Sequence, residues 1–202
     1  DRAVVNGGVF FTDGMKATGE VRLLGVQIGG NLQCDGGQFE VEEGDALSAD
    51  RAVVKGNVFL TGSFKATGQV RLLGTQIGGA LACGGGHFEV KAGDALLADG
   101  AVVKGDVFLT DRFRATGQVR LLGVQIEGDL SCGGGQFEVK EGDALSADGA
   151  IVKGSVYFND GFKATGKVRL LGARIGGNFT CAGGLFEGKP ITDPAALRRH
   201  AA

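Results

Sequence analysis

Apolar and polar residues alternate along this chain over very short stretches, as in Val21-Arg22-Leu23, Val26-Gln27-Ile28, Leu32-Gln33-Cys34 and Phe39-Glu40-Val41. Each stretch is broken by Gly-Gly or Gly-Asp, so the pattern predicts strands of a few residues that turn corners. No 3.6-residue period exists between residues 1 and 187, and the glycine density there opposes helix. The segment from Lys16 to Cys34 returns nearly unchanged ending at Cys83, Cys132 and Cys181, always 49 residues on. Such a period marks an array whose units bury their apolar residues against neighbours.

Each unit of 49 contains a weaker inner repeat, in which Lys55 to Phe64 matches Gly78 to Phe88 with one residue inserted. A column of large apolar residues, Met15, Phe39, Phe64, Phe88, Phe113, Phe137, Phe162 and Phe186, steps by 24 and 25 in turn. The predicted fold is all-β: a right-handed parallel β-solenoid of about eight coils of 24 or 25 residues, in four 49-residue repeats. The hand follows the crossover preference of parallel sheets. With coils about 4.8 Å apart the rod is roughly 40 Å long. Two more inward columns are expected, one from Val9, Leu32 and Val58 through Leu81, Val107, Leu130 and Val156 to Phe179. The other runs from Phe11, Cys34 and Leu60 through Cys83, Leu109, Cys132 and Phe158 to Cys181. The solenoid is expected over 1–187 and a tail over 188–202, where Asp193 and Pro194 would start a short helix capping the open end.

Beside the aromatic spine, Lys16, Glu40, Lys65, Glu89, Arg114, Glu138, Lys163 and Glu187 suggest a ladder of alternating charge that fixes register. Glu127 falls between Lys104 and Lys153 and belongs to the same solvated lattice. One exposed feature stands apart. Phe10, Phe59, Phe108 and Tyr157 lie between inward positions, so alternation turns them outward, interleaved by Gln33, Ala82, Ser131 and Thr180. This aromatic stripe is the candidate interaction surface, for a protein partner or a second copy; the alternative is that the rings lie flat over the small residues of adjacent coils.

Composition narrows the functions further. A net charge of −2 over 202 residues gives no footing for nucleic acid. No apolar run is long enough to span a membrane and no charged-then-apolar stretch opens the sequence, so neither a membrane span nor a signal peptide is expected in it. The chain begins mid-coil without Met, which suggests a piece of something longer. A cytoplasmic location is expected, with membrane association through further domains as the alternative. The four cysteines lie two coils apart, about 9.6 Å, beyond disulfide reach, and should be buried and inert. Only His87 and His200 could supplement them, so no metal site is expected. His87 reads as a surface variant of Gln38 and Gln136. Asp45, Asp94 and Asp143 follow glycines but lack the nine-residue spacing of calcium-binding rolls, and read as turn residues. A threonine column at 18, 67, 116 and 165 could suggest ice binding, but Glu42, Lys91 and Lys140 are expected to interrupt it. No catalytic, cofactor or metal residue is assigned, because nearly every acid belongs to a repeating row rather than to one singular cluster.

The recurring Gly-Xaa-Val-Arg-Leu-Leu-Gly-Xaa-Xaa-Ile-Gly-Gly-Xaa-Leu-Xaa-Cys, with Val-Val-Lys-Gly-Asn-Val-Phe-Leu between copies, resembles bacterial pentapeptide-repeat-like β-helical proteins, a group often labelled hypothetical or membrane-associated oxidoreductase. The resemblance covers residues 1 to 187. It implies a solenoid and carries no catalytic residue across. Val-Xaa-Gly-Asn/Asp-Val is also similar to bactofilins, which implies cytoskeletal polymerisation end to end. The functional expectation is a non-catalytic scaffold presenting side-chain rows to a partner. A self-assembling filament subunit is the alternative, and a carbohydrate-active or redox enzyme a third.

Overall fold

The computed structural model describes residues 2–188, and over these the chain winds as a parallel β-solenoid of about eight turns with no helix. The expected helical cap falls on 189–202, outside the described residues. Three walls run the length of the rod. The first stacks Val4–Val5, Gln27–Ile28, Val53–Val54, Gln76–Ile77, Val102–Val103, Gln125–Ile126, Ile151–Val152 and Arg174–Ile175. The second stacks Val9–Phe10, Leu32–Gln33, Val58–Phe59, Leu81–Ala82, Val107–Phe108, Leu130–Ser131, Val156–Tyr157 and Phe179–Thr180. The third is wider and holds the long strands Gln38–Ser48, Lys65–Arg71, His87–Leu97, Arg114–Arg120, Gln136–Ser146 and Lys163–Arg169.

Strands of two residues form because one side chain enters the core and the next faces out, after which a Gly-containing corner redirects the chain. Both expected columns are inside: Leu32, Val58, Leu81, Val107, Leu130 and Val156, and Cys34, Leu60, Cys83, Leu109, Cys132 and Phe158, are essentially inaccessible. Phe39, Phe64, Phe88, Phe113, Phe137 and Phe162 are all fully buried. Successive rings from Phe39 to Phe186 have centroids 5.1 to 5.4 Å apart, tilted by 42 to 45°. Phe179 and Phe186, in the last described coil, are 51% and 44% exposed.

The backbone register differs from the expected steps of 24 and 25. Val5 lies against Ile28, 23 residues on, and Ile28 lies against Val54, 26 on, with the same alternation at Ile77 and Val103. Phe39 and Phe88 pair not with Phe64 but with Ala66, two residues further along. Phe64 sits at the level of Gly37 and Gly86, since Lys65 donates to the Gly37 carbonyl and His87 to that of Phe64. The rings still stack because Phe88 folds back over Gly86. A Cβ at 86 would lie 3.0 Å from Phe88 Cε2 and 2.6 Å from the Leu60 carbonyl oxygen. Glycine there leaves room for the ring of the residue two positions on.

The longer coil exceeds the shorter by three residues, through one excursion on the third wall. Glu40 and Asp45 flank Val41–Gly44, while their partners Thr67 and Gln69 flank the single Gly68. The same excursion recurs at 90–93 and 139–142. Val41 turns back onto Gly68, which has φ of 124° and whose Cβ would lie 2.3 Å from Val41 Cγ2. Only glycine meets both demands.

This register also splits the charge ladder. Lys65 pairs with Gln38 and His87, whereas Glu40 and Glu89 pair with Thr67. Bases and acids thus form two columns, bridged diagonally at Lys16–Glu40 (2.8 Å), Lys65–Glu89 (3.2 Å), Arg114–Glu138 (3.0 Å) and Lys163–Glu187 (3.2 Å). The threonine column is interrupted by Glu40, Glu89 and Glu138; Glu42, Lys91 and Lys140 ride on the excursions instead.

Candidate functional site

The second wall positions the aromatic stripe. Alternation within each two-residue strand puts Val9, Val58, Val107 and Val156 toward the core and Phe10, Phe59, Phe108 and Tyr157 outward. Strand pairing places them in one column in the order Phe10, Gln33, Phe59, Ala82, Phe108, Ser131, Tyr157, Thr180. Phe10 is 63% exposed, while Phe59, Phe108 and Tyr157 are half-buried among small neighbours. A Cβ at residue 8 would lie 2.8 Å from Phe10 Cζ, so this ring lies back along the wall and turns a face to solvent. The Phe10 ring thus lies over Gly8 of its own coil and is open on its outer side.

The corner after each ring supplies polar groups: Thr12-Asp13, Thr61-Gly62, Thr110-Asp111 and Asn159-Asp160. Between Phe108 and Tyr157 lies an open groove of about 500 Å³, lined also by Asp111, Arg112, Asn159 and Asp160. Its floor is Gly133-Gly134, where the first repeat has Asp35, hydrogen-bonded by the Thr61 hydroxyl. A second groove of about 580 Å³ shares Asp111 and Arg112 and is bordered by Lys65 and His87. His87 is exposed on the wall, as its kinship with Gln38 suggests, and lies at the edge of this groove.

Asp111 and Arg112 are both left-handed, with φ of 53° and 68°. Equivalent corners read Asp13-Gly14 and Asp160-Gly161, with glycine at the second position. A side chain there costs about 1 to 2 kcal/mol. The third repeat thus tolerates strain to place a guanidinium over the groove. Among the described residues Arg112 forms no ion pair.

Two polar ladders escaped the sequence reading. Asp45, Asp94 and Asp143 are more than turn residues. Arg71 of the next coil reaches Asp50 at 2.6 Å and Asp45 at 3.4 Å, and Asp50 also accepts the Leu73 N–H at 3.0 Å. Arg120 repeats this with Asp94 and Asp99, and Arg169 with Asp143 and Asp148. The hydrogen bond to Asp50, opposed by partial burial, leaves the Arg71 guanidinium held even more firmly in its charged form. At another corner, side chains receive the N–H groups of the coil above: Asn31 takes that of Asn57 at 2.9 Å, and Asn57 takes that of Ala80 at 2.7 Å. Asp106, Asp129 and Ser155 continue the ladder toward Asn178. The signal for both lay in recurrence of Asp, Arg and Asn at fixed period.

Other candidates are accounted for by their surroundings. Cys34, Cys83 and Cys132 are buried free thiols, and loss of water pushes each pKa well above the ordinary value, aided at Cys34 by Asp35. Glu127 takes Lys104 at 2.6 Å and Lys153 at 3.2 Å, and these hydrogen bonds hold its carboxyl below the usual range. Among the described residues no three His, Cys, Asp or Glu side chains gather as metal ligands, and no helix is long and apolar enough to cross a membrane. No family model, curated protein or solved structure matches the chain.

Proposed function

We propose that this chain is a non-catalytic scaffold, a rigid solenoid segment that holds repeated side-chain rows at fixed intervals for a partner protein. The observation that carries this reading is the unbroken ring stack from Phe39 to Phe186, with the charged and aromatic rows recurring once per repeat around it. Recurring chemistry favours distributed contact over one reactive centre. The carboxylates of Asp45, Asp94 and Asp143 are engaged by arginines, and the stacked thiols are shielded, which supports a structural role for both sets. The rod is read as right-handed on the crossover preference, and its resemblance to bactofilin-like and pentapeptide-repeat-like proteins favours the same use.

The test is rigidity. Nitroxide labels on unnatural amino acids at positions 16 and 163, six coils apart, should give one narrow backbone separation of about 29 Å. A broad or multimodal distribution would refute a rigid spacer. A second reading, end-to-end self-assembly, is favoured by Leu171, Phe179 and Phe186 of the last described coil, at 73%, 51% and 44% exposed. Sedimentation should then show species growing with concentration; a monomer throughout rejects it.

A further inference from the structure

We infer that the second wall is a binding platform for a linear, uncharged β-1,4-linked glycan, laid along the rod axis with its sugar faces on Phe59, Phe108 and Tyr157. This goes beyond the scaffold reading, on whose rigid rod it rests, by naming a ligand class for its aromatic row. The rings recur every second coil, about 9.6 Å apart, in one straight column. Two residues of an extended β-1,4-linked chain span nearly the same length, and alternate sugars present the same face. One ring per disaccharide therefore stays in phase along the whole wall, whereas an α-1,4-linked chain coils out of phase.

The chemistry around the rings fits the same ligand. The C–H groups on a pyranose face are weakly positive and stack on the negative face of an aromatic ring. Phe10 already lies along the wall with one face open, and Ala82 and Ser131 between the rings are too small to obstruct a chain. Equatorial hydroxyls project sideways from a stacked sugar. Beside the groove they would meet Asp111, Arg112, Asn159 and Asp160, planar groups that donate or accept. The glycine floor at 133 and 134 lets a ligand approach the backbone closely.

Charge separates this ligand from a nucleic-acid strand, which could also stack on an aromatic row. Asp13, Asp111 and Asp160 follow three of the four rings, and Arg112 is the cation lining the groove between Phe108 and Tyr157. Such a row repels phosphates and accepts hydroxyls.

Calorimetric titration of the full 202-residue chain with cellohexaose, chitohexaose, cellobiose, maltohexaose and oligothymidine tests the inference. At least one β-1,4-linked hexasaccharide should bind about tenfold or more tightly than cellobiose, maltohexaose or oligothymidine. Phe108→Ala and Tyr157→Ala should each weaken it by about tenfold, while Phe108→Tyr keeps the ring and the affinity. Lys16→Ala, on the third wall, should change nothing. Circular dichroism of each variant separates lost binding from lost fold. Failure of both β-linked hexasaccharides, equal binding of maltohexaose or oligothymidine, or survival of binding in the folded alanine variants would overturn the proposal. A narrow 16-to-163 distance in the same preparation would show that the glycan reading had failed while the rigid scaffold stood.

Discussion

Replacing Gly86 by alanine tests the packing device on which the ring stack depends. The added methyl would meet the Leu60 carbonyl oxygen at 2.6 Å, Phe88 Cε2 at 3.0 Å and the Cys83 carbonyl oxygen at 3.1 Å. Two of these neighbours are backbone and cannot rotate aside. The third belongs to a ring held 5.1 Å from Phe64 and 5.2 Å from Phe113. The methyl must either spread the coils or expel the ring, and overpacking of this kind costs about 1 to 3 kcal/mol. Alanine recovers about 0.4 to 1 kcal/mol by restricting the unfolded chain. A net loss of about 1 to 2 kcal/mol is expected, set against about 0.5 kcal/mol or less for His87→Ala one residue away on the exposed side. Guanidinium titration with an unchanged slope measures the loss. Because repeat arrays can open piecewise, amide exchange at His87, whose N–H bonds the Phe64 carbonyl at 2.9 Å, supplies a local reading. Phe88→Leu in the same chain removes the ring contact, so the double variant should cost less than the sum of the two single changes by about 0.5 kcal/mol or more. Parent-like stability of Gly86→Ala, or strict additivity with Phe88→Leu, would refute the account of how the rings bridge the offset.

Three further outcomes follow from the polar and strained positions. Arg120→Ala strands Asp94 and Asp99 and should cost about 1 to 2 kcal/mol, less at high salt, with Arg120→Lys recovering only part; salt-dependent denaturation checks this. Arg112→Gly relieves a left-handed side chain and should raise stability by about 1 kcal/mol, seen as a higher unfolding midpoint. With a thiol reagent at pH 8, Cys181, partly exposed, should react first, while Cys34, Cys83 and Cys132 react only on unfolding. Their folded-state pKa values are raised, so even alkaline buffer leaves them protonated in the native chain; four fast equivalents would contradict the burial.

Repetition made the architecture readable, because a side chain recurring at fixed period must stack on its own copies. The in-and-out phase of Val58-Phe59-Leu60 and its equivalents follows from alternation alone, and the structure keeps it. The coil-to-coil register was hidden because Phe64 and Phe88 do stack as rings while their backbones do not align. A sequence alignment rewards matching the two phenylalanines, whereas the physical partner of Phe64 at that level is Gly86, which has no side chain to match. The excursion at 41–44 was hidden for a related reason: Val41 continues the alternation of Phe39, yet it covers a glycine of the next coil. Arg71 gave no local signal of its partners, since Asp45 and Asp50 lie 26 and 21 residues before it. The stripe was legible as an outward row, while the Asp111-Arg112 corner was not, because its strain lies in dihedral angles rather than in composition.

The unequal steps of 23 and 26 have a consequence for how such a rod can change length. Excising a single coil would set ring-bearing strand on ring-bearing strand and leave glycine corners facing each other, with twice the volume in one layer and none in the next. Duplication or loss of sequence is tolerated only in whole pairs, so the rod grows like a ruler marked at about 9.6 Å, and every row it displays lengthens by one tooth at a time.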